Sequence, residues 1–445
     1  MFPAHGQRHG PPGPTSLFYK PVDVYRDSPA WTDGVRKGQV MGAETSTGRL
    51  HALDAVRAGA LLLGVAFHAA LPYLPGPQLW MVRDAPNEGI GIFFYVSHLF
   101  RMTLFFVIAG FFGRMLLQRR GTRGFVANRT KRIMLPLFVF WPIVISGIVA
   151  CMIWGAAAMN GGTLPAKAPP PPAITPDTFP LTHLWFLYLL ILFYAAALAL
   201  HGLAMLVDRD ERLRTRIVDP AMRLVTATPA SAPLLAAPLG IALIWAPNWM
   251  GWFGIPTPDT GLFPNAAALT GFGTAFAFGW LLERQRPLLM AVARWWPAHL
   301  VVAVALTIAC LAQIGTTPVV TPMAADDARN AYALCYALAV WSWTLGLIGA
   351  ALTFLSGERP AIRYVADASY WIYLIHLPVV MALQVAIFGL GVPALVKWGI
   401  VTGGAFLILF ASYHLLVRHS WIGKWLNGRK LAWGAAKPGM EMQTA

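Results

Sequence analysis

About ten stretches of this chain are apolar and long enough to cross a bilayer, and that excludes every soluble architecture. They run roughly over 51–73, 90–117, 133–157, 183–206, 232–250, 265–283, 297–315, 330–355, 367–389 and 393–417. A transmembrane helix needs about 20 consecutive apolar residues. Inside lipid the backbone must satisfy its own polar groups, so segments of this length and spacing fold as helices and nothing else. The expected fold is therefore all-α, a polytopic transmembrane helix bundle. A composition of 57% hydrophobic and 12% charged residues, with 18 Trp, fits no soluble core.

The charge balance, 34 Lys and Arg against 19 Asp and Glu, gives a net charge of +15 that looks at first like a nucleic-acid signal. Placing the cations removes that impression. They gather in alternate connections: the N-terminal tail, RRGTRGFVANRTKR after the second span, DRDERLRTRIVDPAMR after the fourth, ERQRPLLMAVAR after the sixth, GERPAIR after the eighth, and the tail from Arg418. The intervening connections carry scattered ones, such as Arg83, Lys167 and Arg329. This is the positive-inside pattern, so an even number of spans with both termini cytoplasmic is expected. Residues 1–47 read as a flexible cytoplasmic tail without an apolar signal-peptide region, 48–420 as the transmembrane domain, and 421–445 as a second cytoplasmic tail. The Pro-rich stretch 164–180 reads as an outward linker, and the three cysteines show no paired or metal spacing.

Ionisable residues inside spans are expensive in lipid and mark function. On the first span, DAVRAGALLLGVAFHAALPY, Arg57 and His68 are about 16 Å apart along a helix axis, so one sits at a headgroup face and the other deep inside. On the second, His98 and Arg101 lie three apart on one face. Such an arginine must meet water, a carboxylate or an anionic ligand, unless it is paired merely to fix helix register. Arg129 and Arg132, i and i+3 at a helix start, bring two cations together where phosphates dock well, although a positive-inside loop holding lipid headgroups explains much of the same charge. His183, Trp185 and Tyr188 open the fourth span at an interface, where anchoring accounts for the Trp and Tyr better than for the His. Ser369, Tyr373 and His376 form a polar stripe on the ninth.

These residues resemble a family. Arg57 and His68 match the R-x10-H motif on the first span of acyltransferase family 3 membrane proteins. FFVIAGFF at the end of the second span, RTKR before the third and SYWIYLIHLP late in the chain are similar to that family's landmarks. HLFRMTLFFVIAGFF and HLWFLYLL are most similar to its glucan biosynthesis protein C branch, which succinylates osmoregulated periplasmic glucans. The resemblance covers roughly residues 48–420.

What the resemblance implies is transfer of an acyl group, succinyl first, from cytoplasmic acyl-CoA to hydroxyls of a periplasmic glucan or other saccharide, in a bacterial inner membrane. His68, His98 and Arg101 are the catalytic candidates, with His68 as general base or, less favoured, as an acyl-imidazole nucleophile. Arg57, Arg129 and Arg132 would hold acyl-CoA; His183, Trp185, Tyr373 and His376 would line the acceptor cavity. Acyl-CoA enters as co-substrate, and neither a permanently bound cofactor nor a metal is expected. Ala109 stands where many relatives carry Ser, so no role is given to it. Asp54, three residues before Arg57, offers that arginine a structural partner instead. The competing expectation is a secondary transporter or polysaccharide exporter whose midplane His and Arg line a path.

Overall fold

The computed structural model describes residues 51–165, 173–228 and 230–428. The tail 1–47, most of 421–445, Lys167 and the centre of the Pro-rich stretch lie outside the described residues. Among the described residues the chain is helical, with one isolated antiparallel bridge, Pro180 to Thr260.

Eight helical segments are long and apolar enough to cross a membrane, or nine if a bent pair, Arg214–Ala227 with Ser231–Ile244, is one broken span. One of the eight, Glu88–Met159, is 72 residues long. That is roughly 108 Å of helix against a hydrocarbon core of about 30 Å, so the run holds two crossings. The first is α2 (Glu88–Arg129), broken at Gly121 by φ 64 and ψ 177, and the second is α3 (Leu135–Met159) after a short π-turn, Thr130–Met134. Counting that run twice brings nine to ten, the number the sequence leads one to expect.

The other crossings follow the expected order: α1 (His51–Ala70), α4 (Trp185–Val207), α5 (Asp219–Ala227) bent against α6 (Ser231–Ile244), α7 (Ala266–Arg284), then, after a short α8 (Leu288–Arg294) that does not span, α9 (Trp296–Ile314), α10 (Asp327–Phe354), α11 (Pro360–Ala386) and α12 (Ala394–Ser412). The fifth segment departs from expectation. Residues 245–250 leave the helix, because Pro247 and Asn248, the latter at φ 51, cannot continue it. Its 14 remaining residues reach only about 21 Å. The segment beyond 420, expected as a tail, opens with α13 (Trp421–Asn427), whose Trp425 indole donates to the Lys131 carbonyl and whose Leu426 is buried.

The most extensive helix contact is between α2 and α7. It is possible because Gly110 and Gly279 face each other's backbones: a Cβ at Gly110 would overlap the Phe276 carbonyl, and one at Gly279 the Val107 carbonyl. Small residues are how membrane helices, which gain nothing by hiding Leu from lipid, come into van der Waals contact. At one end of this seam the Arg114 guanidinium meets Glu283 at 3.3 Å, and Arg286 closes on the same carboxylate. Glu283 is fully buried, so a buried carboxylate here carries two cationic partners.

Candidate active site

Four helices deliver imidazoles to one place. α1 ends at Ala70, and His68 sits in its last turn because Pro72 cannot donate the next helical hydrogen bond. α2 presents His98 and Arg101 from one face. A tight turn, Thr182–Leu184, entered through Thr182 at φ 51, places His183 just before α4. α11 brings Tyr373 and His376 from the opposite side. The His68 and His376 rings are 5.2 Å apart between centroids, and His183 and His376 are 4.9 Å apart. His98 stacks at 5.3 Å on Phe67, the neighbour of His68, and Arg101 lies over the other side of that environment, its guanidinium carbon 3.8 Å from the Phe67 centroid.

The hydrogen bonds fix two of the tautomers. Pro378, inside α11, removes the N–H that would pair with the Leu374 carbonyl. The His183 Nε2 stands 3.3 Å from that oxygen, which can only accept, so Nε2 carries the proton and Nδ1 is the basic nitrogen. That Nδ1 is buried without a partner among the described residues. His376 donates from Nδ1 to the Tyr373 carbonyl at 2.8 Å, which leaves its Nε2 basic. Tyr373 donates its hydroxyl to the His183 carbonyl at 2.8 Å and so ties the two elements together. His68 differs from both: among the described residues no backbone carbonyl holds its ring, and its buried Nδ1 has no hydrogen-bond partner.

Arg101 is 6% exposed, and its Nη1 has no hydrogen-bond partner among the described residues. The guanidinium lies on an aromatic face, and that Nη1 is left with donor capacity unused among the described residues. The Nδ1 of His98 is equally unpartnered. His98 also borders a small, water-sized gap lined further by Met102, Thr103, Thr257, Phe272 and Tyr336. The arrangement can therefore accept a proton and stabilise an anion at one place.

The remaining candidates lie elsewhere. Arg57 pairs with Asp54 at 3.0 Å and reaches the Ala366 carbonyl at 3.4 Å, so its i, i+3 partner is in use. Arg129 lies over the Tyr194 ring at 4.6 Å with its Nε buried and unpartnered, and the Arg132 carbonyl accepts the Tyr370 hydroxyl at 2.6 Å. Both belong to the same π-bulged corner between α2 and α3. Trp185 packs among Phe106, Phe186 and Phe272 and makes no ring contact with the imidazoles. Ser369, on the expected polar stripe, spends its hydroxyl on the Ala366 carbonyl of its own helix. Among the described residues no three of His, Cys, Asp or Glu are placed to hold a metal ion.

Sequence reasoning missed a group of residues that hold the site from behind. Gln384 donates to the His68 carbonyl at 2.8 Å, and the Trp80 indole donates to the Gln384 amide oxygen at 2.8 Å. Lys397, buried inside α12, is neutralised by Asp84 at 2.8 Å, which pins the loop carrying Trp80. A buried Lys in the first turn of an apolar span was a readable signal; its partner, 313 residues away, was not.

A polytopic helical membrane protein with four imidazoles and a buried arginine gathered in its interior is the class that fold and site define. The chain belongs to the acyltransferase domain family, whose match covers residues 50–417. Curated relatives include Glucans biosynthesis protein C of Escherichia coli (strain SMS-3-5 / SECEC), 36% identical over 97 residues, and the proteins of that name from Salmonella paratyphi B (strain ATCC BAA-1250 / SPB7) and Salmonella heidelberg (strain SL476), each 35% identical over 97 residues. Each alignment covers 22% of this chain and 25% of the relative, so the chain spans about a quarter of the length of the curated relatives it matches. No solved structure matches.

Proposed function

We propose that this membrane acyltransferase carries a succinyl group from cytoplasmic succinyl-CoA to hydroxyls of a periplasmic glucan, in a bacterial inner membrane, with His68 as general base. The observation that carries the reading is the convergence of His68, His98, His183 and His376 beside Arg101, whose Nη1 has no hydrogen-bond partner among the described residues. The alternation of basic connections orients the bundle with the Arg57 end of α1 inside.

The acceptor oxygen attacks the thioester carbonyl while His68 takes the hydroxyl proton. The tetrahedral intermediate collapses by breaking the carbon–sulfur bond, and the departing CoA thiolate receives that proton. General base catalysis of this kind contributes about 10² to 10⁴ in rate. His68 suits the role because its ring is not spent on a backbone carbonyl, as those of His183 and His376 are. Arg101 receives the free carboxylate of the succinyl group, the anion its unpartnered Nη1 lacks. His98 orients the acyl group from its place against Phe67, beside His68. Arg129 and Arg132 take CoA phosphates at the inner face, where guanidinium forks match phosphate geometry. Arg57 contributes charge there while keeping Asp54 as its partner. Tyr373, His376 and His183 line the acceptor side.

The test uses full-length protein in detergent with labelled succinyl-CoA or acetyl-CoA and a linear or cyclic glucan. Succinyl transfer that falls by at least about 10²-fold in His68→Ala supports the reading. Transfer at the wild-type rate in that variant removes His68 as base. No acyl-CoA consumption, with saccharide moving across liposomes, makes the chain a transporter instead.

A further inference from the structure

His68 stands four residues before Pro72, and that spacing leaves its carbonyl without a helical donor. In an α-helix the oxygen of residue i accepts from the N–H of residue i+4, and proline has none. A backbone oxygen left unpaired inside a membrane protein must be satisfied by something else. Here the donor is the Gln384 side chain of α11, 2% exposed, whose Nε2 lies 2.8 Å from the His68 oxygen. The direction of that amide is set in turn. Trp80 can only donate, and its Nε1 meets the Gln384 Oε1 at 2.8 Å, which turns the amide nitrogen toward His68. Two residues earlier on α1, the Ala66 carbonyl accepts from the Trp398 indole at 3.0 Å. The last turn of α1, the one that carries the imidazole, is therefore fixed by side chains of its neighbours where its own ladder stops.

We propose that Gln384 is a positioning residue for acyl transfer: it replaces the hydrogen bond that Pro72 removes and so holds the His68 backbone, and with it the ring, at the angle the reaction uses. The inference rests on the reading of His68 as the base. Trp80 acts one step further out, by choosing which end of the Gln384 amide faces His68. Neither side chain touches the reacting atoms, so their effect falls on turnover and not on donor binding.

The decisive experiment restores the missing N–H. Gln384→Leu keeps the volume and loses both hydrogen bonds; it lowers kcat by about 10-fold to 100-fold, the penalty a misplaced catalytic group carries, with KM for succinyl-CoA within about twofold of wild type by the same reasoning. Pro72→Ala returns a backbone donor to the His68 carbonyl, and the double variant Pro72→Ala with Gln384→Leu recovers most of the lost kcat. A residue that merely packs would not be rescued by a proline replaced on another helix. A wild-type kcat in Gln384→Leu overturns the proposal, as does a double variant no better than the single one. Where either variant fails to fold, Trp80→Phe decides: it keeps the ring against Gln384 and releases the amide, and it lowers kcat severalfold at unchanged KM. An unchanged kcat in that variant overturns the proposal too. His68→Ala separates the two layers. Inactive His68→Ala with fully active Gln384→Leu sinks this inference alone, whereas active His68→Ala sinks the reading on which it stands.

Discussion

Arg101 and Arg114 are both carried by α2, and both are largely buried, yet the protein treats them in opposite ways. Arg114 is met by Glu283 at 3.3 Å, and Arg286 shares that carboxylate. Arg101 has an aromatic ring and an Nη1 with no hydrogen-bond partner among the described residues. A buried charge held by its counter-ion is part of the scaffold, whereas a buried charge without one is costly, and the proposed function gives that cost a use. Sequence spacing gives no hint of the difference, since each arginine sits among phenylalanines on the same helix.

The comparison is most directly broken at Glu283. Glu283→Met strands the Arg114 guanidinium, and thermal unfolding in detergent is expected to report a loss of about 3–5 kcal/mol. Turnover per folded molecule stays near wild type; a specific loss of turnover would move this pair into the reaction. Arg101→Met should show the reverse. It removes an uncompensated buried charge, so the unfolding temperature holds or rises, while acyl transfer falls by about 10²-fold to 10³-fold, the loss seen when one anion-stabilising donor is deleted. A marked drop in stability with turnover intact would make Arg101 as structural as Arg114.

Sharper still is the conservative change. Lys in place of Arg101 keeps the charge and loses the planar fork, so succinyl transfer should fall about tenfold more than acetyl transfer, because only the succinyl donor carries a carboxylate for that fork to grip. Equal losses with both donors, measured as initial rates on one preparation, would assign Arg101 to the oxyanion instead. The smallest effect is expected at the far corner of α2. Arg129→Ala with Arg132→Ala should weaken CoA binding severalfold and flatten its salt dependence, since screening acts on the charges these two provide. Affinity unchanged across ionic strengths would leave that corner to lipid headgroups.

Most of the fold is legible in the sequence because lipid imposes it: spans must be apolar, about 20 residues long and helical. The exception, residues 232–250, failed where Pro247 and Asn248 ended the helix early, and apolar composition alone does not register that. Of the site, His68, His98, Arg101, His183 and His376 stood out by being ionisable in spans, and the bundle brings them together. What could not be read was pairing across hundreds of residues: Gln384 to His68, Lys397 to Asp84, Arg114 to Glu283. Trp185 opens α4 two residues after His183, and its ring packs against Phe106 and Phe272.

The seam at Gly110 and Gly279 sets a limit on how this molecule can be altered. When a side chain opposes a side chain, enlarging one can be answered by trimming the other. Here each glycine opposes a carbonyl of the facing helix, which cannot be trimmed. A methyl group added at either position forces the two helices apart as rods, and α2 carries His98 and Arg101 with it. Suppressors of such a change must therefore shift a helix, so the seam works as a datum from which the position of the imidazole cluster is measured.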